Sequence, residues 1–275
     1  MSTSHVISAG RVSARRRIRI GRATIDDVTM VEAVEAVAEL VAQRRGGIVC
    51  TPNVDHLVLL EDDVRLRGAY ERASLVTADG MPIVWASRLL GTPLREKVSG
   101  SDLIGPLLQR ASREGWRVYL LGGGEGVAAR AAERLKVEAP GLEIVGIDAR
   151  TIDLERDPPT HQALCDRLTA ARPDLVLVAL GCPKQEIVMA RIADSVRPAV
   201  CVGVGAGLDF LAGTVPRAPR WISAAGLEWL YRLAREPRRL WRRYLLRDPR
   251  VAWILLRDLR DLRAAARRRA HPRAT

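Results

Sequence analysis

Short apolar runs recur along this chain and alternate with helical stretches, and each run ends in a polar or glycine-rich cluster. Continuous apolar strands separated by helices are typical of a parallel sheet that is covered by helices on both faces. The runs lie at residues 48–50, 75–77, 118–121, 142–147, 175–180 and 200–204. The pattern therefore predicts an α/β fold with a mostly parallel, Rossmann-like sheet, and 275 residues with 48% hydrophobic content suffice for its core.

The first helix of this pattern is predicted to open at Asp26-Asp27 and to end at Gly46-Gly47. The apolar residues between these two signals keep helical spacing. They are Val31, Val34, Val37, Leu40 and Val41. Pro82 is predicted to open the helix that follows the second strand.

Residues 214–275 differ from the rest of the chain in composition. They hold 17 arginines, no lysine, 5 acids and four of the six tryptophans, so they carry the whole net charge of +12. Pro237 and Pro249 divide them into three helical pieces, and the last piece has one apolar stripe. We predict a disordered basic lead at 1–17, an α/β catalytic domain at 18–213 and a basic helical appendage at 214–275. A basic, tryptophan-rich appendage favours an anionic partner such as a membrane surface, a diphosphate or a nucleic acid.

Several features argue against metal, cofactor and membrane-spanning roles. The chain has no Asp-x-Asp motif and no His/Cys cluster, so we predict no metal site and no cofactor. Its cysteines lack metal-binding spacing and are interpreted as buried thiols of a reducing cytosol. They are Cys50, Cys165, Cys182 and Cys201. We see no signal peptide and no apolar run that could span a bilayer, and we expect a cytoplasmic protein that meets the inner face of the membrane peripherally.

Polar residues at the strand ends are the candidate site residues, because ligands of parallel α/β folds bind beyond the carboxyl ends of the strands. Asp79 follows the second strand and either caps the next helix or acts as a general base. The loop 122–126, with Gly122 and Gly124, either makes a tight turn or presents backbone N–H groups to phosphate. In the segment 181–186, the polar side chains, Gln185 among them, either cap the helix and add surface charge or hydrogen bond to a sugar or uracil edge. For His56 we expect a structural role.

Eight segments of the chain together resemble the WecG/TagA/CpsF family of bacterial glycosyltransferases. They occur in the family's order and cover roughly residues 20–246. The segments are TPNVDH (51–56), ADGMPIVWASRLLG (78–91), EKVSGSDL (96–103), YLLGGGEGVA (119–128), PGLEIVG (140–146), LGCPKQE (180–186), GVGAGLDFLAGTVPRAP (203–219) and GLEWLYRLAREPRRLWRR (226–243). The resemblance implies transfer of an N-acetylmannosamine-type sugar from a UDP-sugar to a polyprenyl-diphosphate-linked saccharide during cell-surface polysaccharide synthesis. It also implies inversion, no required metal, and an appendage that docks on the membrane and helps close the active site.

The resemblance assigns roles to residues by position. Asp79 matches the proposed catalytic base. The other matching positions are expected to bind substrate, and they are Thr51, Asn53, Lys97, Gly122, Gly124, Gln185, Arg217 and Arg232. Lys97 stands where the family usually has arginine, so it keeps the charge but loses the two-pronged hydrogen bonding. Ala206, Gly207 and Leu208 stand where the family usually has a glycine, a Ser or Thr, and an aromatic residue, which predicts an altered sugar pocket.

Two other classes of protein compete with this interpretation. A nucleotide-dependent Rossmann-like enzyme would show GxGxxG after the first strand and an acid about 20 residues further on, and neither occurs. A nucleic-acid-binding protein would use the basic appendage for salt-sensitive binding without UDP-sugar turnover. We expect no nucleic-acid partner, and assembly into a homo-oligomer stays open.

Overall fold

A computed structural model of the protein describes residues 15–149 and 158–270. The disordered lead predicted at 1–17 lies almost entirely outside the described residues, and its last residue, Arg17, begins the first strand. The strands are β1 Arg17–Ile20, β2 Ala23–Asp26, β3 Gly47–Cys50, β4 Leu75–Val76, β5 Arg117–Gly122, β6 Glu143–Asp148, β7 Leu175–Ala179 and β8 Val200–Gly203.

Helices follow almost every strand of the described chain. Those of the main body are α1 Met30–Ala42, α2 Val54–Asp62, α3 Val64–Glu71, α4 Met81–Leu89, α5 Gly100–Glu114, α6 Val127–Glu138, α7 Pro158–Ala171, α8 Lys184–Ile192 and α9 Gly207–Ala212. Those of the C-terminal appendage are α10 Arg220–Ala224, α11 Glu228–Arg235, α12 Pro237–Trp241 and α13 Val251–Ala270. A π-helical turn, Arg242–Arg247, and a 3-10 turn, Asp248–Arg250, join α12 to α13.

Six strands form one parallel sheet in the order β4-β3-β8-β7-β5-β6, which confirms the predicted α/β class. One apolar core packs α1, α5, α6 and α9 against the first face of the sheet. A second core packs α2, α3, α4, α7 and α8 against the other face. Neighbouring strand residues enter opposite cores, as with Val49 in the first and Cys50 in the second, so both faces are covered.

Residues 17–26 form an antiparallel hairpin of β1 and β2 that the apolar pattern did not predict. Ile18, Ile20 and Ile25 alternate with polar residues and bury only one face. The prediction that Asp26-Asp27 opens the first helix was wrong. Asp26 ends β2 and its Oδ2 accepts the backbone N–H of Val76 at 2.8 Å, whereas Thr29 caps α1.

The appendage has more elements than the three predicted pieces, although Pro237 and Pro249 do lie at breaks between them. The apolar stripe of α13 packs mainly on the main body: Ile254 is 3% exposed, and Leu255 and Leu259 contact the second core. The opposite face of α13 exposes Trp253 and Leu256. No helix within the described ranges is both long and apolar enough to cross a membrane.

Candidate active site

A cleft of about 290 Å³ lies between the carboxyl ends of β3 and β4 and the helices of the appendage. The main body and the appendage both line it. The lining residues are Asn53, Val54, Asp79, Gly80, Met81, Pro82, Lys97, Ser223, Gly226, Glu228, Trp229, Arg232, Arg243, Tyr244, Asp248, Pro249 and Val251. The structure thus brings four sequence-predicted site residues together, namely Asp79, Asn53, Lys97 and Arg232.

Asp79 follows β4 and lies at the floor of this cleft. Its backbone N–H donates to the carbonyl of Pro52 at 2.8 Å, which ties the ends of β3 and β4 together. Its carboxylate does not cap the next helix, because the N-cap of α4 is Gly80 and no side chain caps that end. Gly80 has φ of 104°, a conformation that glycine adopts without strain. The capping interpretation of Asp79 is therefore wrong, and its carboxylate is left to face the cleft.

Burial raises the pKa of Asp79, and the nearby Arg232 opposes that effect. Glu228 raises the pKa further, whereas Lys97 lowers it. Asn53 Nδ2 lies 3.5 Å from Asp79 Oδ2 and donates a long hydrogen bond to it. A carboxylate with a raised pKa that faces a cleft has the character of a general base.

Lys97 and Arg217 converge on one carboxylate, that of Asp102. Lys97 Nζ lies 2.7 Å from Asp102 Oδ2, and Arg217 pairs with the other oxygen. Arg217 does not line the cleft, but its guanidinium lies 5.7 Å from the centre of the Phe210 ring. The guanidinium of Arg232 lies 5.3 Å from the same ring. Three cations therefore cluster beside the cleft, and two of them, Lys97 and Arg232, line it, where an anionic group of a ligand would meet them.

Besides Arg217, four predicted substrate-binding residues lie outside the lining of the cleft. Thr51 is buried, and its Oγ1 donates to the carbonyl of Gly203 at 3.1 Å. Gln185 is buried, and its Oε1 accepts the backbone N–H of Gly205 at 3.0 Å. Both side chains thus fix the end of β8 against its neighbours.

Gly122 and Gly124 belong to the loop between β5 and α6, which β7 and β8 separate from β3. Gly122 has φ of 100°, and a Cβ atom there would clash with the carbonyl of Ala179. This glycine is therefore required for the tight strand-to-helix turn, one of the two interpretations that the sequence left open.

A buried polar cluster lies behind Asn53. His56 Nε2 lies 3.3 Å from Glu186 Oε1, and Glu186 also accepts from Gln185 Nε2 at 2.8 Å. His56, Cys182 and Glu186 bring one potential metal-binding atom each within 4.8 Å of one another. Because the imidazole and the carboxylate already hydrogen bond to each other, we interpret the group as a hydrogen-bonded cluster. His56 then has the structural role that the sequence predicted.

Arginines of the appendage pair with acids of α2, and this anchors the roof of the cleft. Arg243 and Arg247 contact the buried Asp55 at 3.2 Å and 2.5 Å. Arg257 donates to both oxygens of Glu61 at 2.8 Å and 2.9 Å. Sequence reasoning missed Arg243, Tyr244 and Asp248 as lining residues, since nothing local separates Arg243 from the other tail arginines. The one sequence feature that could have identified Arg243 is its position at the end of the family-like segment 226–243.

The arrangement joins a carboxylate of raised pKa to several cations in one cleft. It can take a proton from a hydroxyl group while the cations stabilise a departing phosphate. The family model described as "Glycosyl transferase WecG/TagA/CpsF family" matches residues 18–265.

The chain belongs to this glycosyltransferase family. It is 34% identical over 203 residues to the N-acetylglucosaminyldiphosphoundecaprenol N-acetyl-beta-D-mannosaminyltransferase of Bacillus spizizenii. That alignment covers 74% of this chain and 76% of the relative. The segments that predicted the family from the sequence thus identified it correctly.

One of this chain's departures from the family pattern lies in the core. Leu208, which stands where an aromatic residue is usual, is fully buried and packs in the first core. Ala206 precedes it as the N-cap of α9. Lys97, the other departure, lines the cleft.

Proposed function

We propose that this glycosyltransferase moves an N-acetylmannosamine-type sugar from a UDP-sugar to a polyprenyl-diphosphate-linked saccharide, with inversion at the anomeric carbon. The observation that carries the proposal is that Asp79 lines one cleft together with Arg232, Lys97 and Arg243. The name of the Bacillus spizizenii relative, which specifies a mannosaminyl transfer to a diphosphoundecaprenol-linked sugar, supports the choice of donor sugar and acceptor.

In the proposed mechanism, Asp79 takes the proton of the acceptor hydroxyl as that oxygen attacks the anomeric carbon. The new glycosidic bond forms on the face opposite UDP, and the bond to UDP breaks, which inverts the configuration. Negative charge develops on the departing diphosphate, and the guanidinium groups of Arg232 and Arg243 stabilise it together with Lys97. This set of cations supports transfer without a metal ion.

We further propose that the appendage docks on an anionic membrane surface, on the cytoplasmic side where UDP-sugars are available. Its exposed apolar residues include Trp221 at 70% and Trp253 at 64% exposure, and Leu245 and Leu246 are exposed between them. Tryptophan and leucine beside arginine suit the interface between water and lipid. Such docking would present a lipid-linked acceptor to the cleft that the same appendage covers.

The test of the proposal is a donor screen with synthetic lipid-diphosphate saccharides as acceptors. We expect UDP release with one UDP-N-acetylhexosamine, and a product whose anomeric configuration, measured by NMR coupling, is inverted. A retained configuration would contradict the role of Asp79 as a base. UDP-sugar-independent binding of RNA or DNA would instead favour a nucleic-acid-binding protein.

Metal independence is tested in the same assay. Excess EDTA is expected to leave the rate of UDP release unchanged, because arginine and lysine neutralise the diphosphate. Loss of turnover in EDTA that manganese or magnesium restores would show that a metal ion stabilises the leaving group.

A further inference from the structure

The side-chain oxygen of Asn53 accepts hydrogen bonds from three directions. The backbone N–H of Asp55 donates to Oδ1 at 3.1 Å, and a guanidinium N–H of Arg243 donates at 2.9 Å. His56 Nδ1 lies 2.9 Å from the same oxygen. Because backbone and guanidinium N–H groups can only donate, the oxygen of this amide must face them. Its NH₂ group therefore faces Asp79, whose Oδ2 lies 3.5 Å away.

The same contacts favour the doubly protonated form of His56. Its Nδ1 faces the oxygen of Asn53, and its Nε2 faces Glu186 Oε1 at 3.3 Å. Two oxygen acceptors on opposite sides of one ring are both satisfied only when both nitrogens carry a proton. Unprotonated, Nδ1 would instead accept the more distant backbone N–H of Asn53, at 3.3 Å, and would lose its bond to Oδ1.

Electrostatics agree with this geometry. Burial alone would lower the pKa of His56, but a hydrogen bond with Cys182 and the charge of Glu186 raise it well above its ordinary value. Burial raises the pKa of the Cys182 thiol, so that this group is neutral near pH 7. The Glu186 carboxylate is therefore the counter-charge of the imidazolium. Burial alone would raise the pKa of Glu186, but His56 and Gln185 hold it below its ordinary value.

We propose that His56 and Glu186 are positioning residues that orient the Asn53 amide against Asp79. The chain of contacts runs from Glu186 through His56 and Asn53 to Asp79, and the inference rests on the proposed role of Asp79 as the base. The Asn53 amide and the imidazolium behind it favour the ionised form of Asp79, which is the form that accepts a proton.

Other charged or titratable groups surround both ends of this chain of contacts. Those near His56 are Asp55 of α2, Tyr70 of α3, Cys182 before α8 and Arg243 of the appendage. Those near Asp79 are Lys97, Glu228, Arg232 and Tyr244. The test variants leave all of them unchanged, so a shift in the pKa of Asp79 reports on the chain of contacts itself.

The experiment compares Glu186→Gln and His56→Gln with His161→Gln, a matched change on α7 away from the cleft. We expect kcat to fall about ten- to a hundredfold in the first two variants, as for small errors in catalytic geometry. The KM for the UDP-sugar is expected to change less than about twofold, and the acidic limb of the pH profile to move to higher pH. In an Asn53→Ala background, neither substitution should lower kcat further, because both act through Asn53.

A second measurement does not depend on activity. In the full chain, NMR titration of the Asp79 carboxyl carbon should give a higher pKa in Glu186→Gln and His56→Gln than in the wild type. At a pH above the ordinary pKa of histidine, the ring nitrogens of His56 should both be protonated in the wild type and not in Glu186→Gln. Melting temperatures identify a variant that fails to fold. The proposal is then tested with the other variant.

Three results would overturn the proposal. One is an unchanged pKa of Asp79 in both folded variants, and another is a full additional loss of kcat in the Asn53→Ala background. The third is one equivalent of zinc in the purified protein that His56→Gln loses, which would make His56 a metal ligand. If the wild type transfers no sugar but the two titrations follow the expectation, the proposed function fails and the positioning of Asp79 stands.

Discussion

Asp79 must be ionised to accept a proton, yet burial in the cleft favours its neutral form and raises its pKa. We predict that Asp79→Asn, which keeps the shape and removes the basicity, lowers kcat by about two to four orders of magnitude. Donor affinity, measured by calorimetry with the UDP-sugar, should hardly change. In the wild type, kcat/KM should fall as the pH falls through a value above the ordinary pKa of about 4. The exposed Asp166→Asn is the control, and near-wild-type turnover in Asp79→Asn would refute the assignment.

Lys97 lies between the cleft and Asp102, and the family usually has arginine at its position. If the ammonium group contacts phosphate or acceptor, Lys97→Ala should lower kcat/KM about tenfold or more, as for hydrogen bonds between charged groups. Lys97→Arg should be tolerated, because it restores the usual cation. Steady-state kinetics of both variants measure this, with the exposed Lys136→Ala as control. Equal kcat/KM in all of them would place Lys97 among ordinary surface residues.

The contact between α2 and the turns after α12 is held by acids and arginines that are partly withdrawn from water. Asp248 is the acid of this group whose negative charge is disfavoured, because burial raises its pKa to about 6. Arg243 lowers this pKa, whereas Asp55 raises it further. The folded pKa of Asp248 exceeds its ordinary value, so the folded protein binds the proton more tightly. The stability that this gives is complete at low pH and is lost as the pH rises through about 6.

We therefore predict that Asp248→Asn is more stable than the wild type at pH 8 by about 1 kcal/mol, a value reduced for partial solvent screening. At pH 4 and below, the difference should nearly vanish, because Asp248 is then protonated in the folded wild type. Urea unfolding at both pH values measures the two free energies. The exposed Asp261→Asn on α13 should show neither effect. A variant that is less stable than the wild type at pH 8 would mean that the ion pairs of Asp248 outweigh its burial.

The helix α13 has two apolar sides, one packed against the main body and the other exposed. Ile254 packs against the hairpin, where a Cβ on Gly21 would meet its side chain at 2.8 Å. Trp253 is exposed, and the guanidinium of Arg260 lies 5.7 Å from the centre of its ring. Periodicity alone showed one apolar stripe and could not indicate that this stripe faces the protein. The remaining exposed side is the one that is free to meet lipid.

At the scale of the whole molecule, the appendage both covers the cleft and carries the exposed basic surface. Arg260, Arg263 and Arg267 are exposed on α13, whereas Arg257 is paired with Glu61. We predict that replacing the three exposed arginines with glutamine weakens binding to anionic vesicles about a hundredfold, at roughly 1 kcal/mol for each charge. Turnover of a short, water-soluble acceptor should be unchanged.

The reciprocal variant is Arg232→Ala, which should lose turnover of the soluble acceptor but keep vesicle binding. Sedimentation with vesicles and UDP release measure the two properties separately. If the triple variant bound vesicles as tightly as the wild type, the charge on α13 would have no part in docking. If Arg232→Ala kept full turnover, the arginine would not serve the leaving group.

The sequence by itself determined the strands of the main sheet and the family. Apolar runs buried on both faces are a local property, so all six predicted runs coincide with strands to within one residue at each end. The hairpin of β1 and β2 was not predicted, because short, half-buried strands resemble the polar stretches around them. Asp79 and Asn53 were identified because each follows a strand end, where parallel sheets bind ligands, whereas Lys97 was identified only through the resemblance to the family.

Only the tertiary structure decided which of the predicted residues share the cleft. Thr51 and Gln185 lie at strand ends like Asp79, yet their side chains point into the contacts that fix β8. Nothing in the local sequence distinguishes Arg243, which reaches Asn53, from Arg238 or Arg242 beside it. Which arginine reaches Asn53 depends on how α12 and the turn after it pack on α2, some 190 residues earlier in the chain. The spacing of residues along the chain determines where helices and strands form. Which distant side chains come into contact depends instead on how those helices and strands pack together.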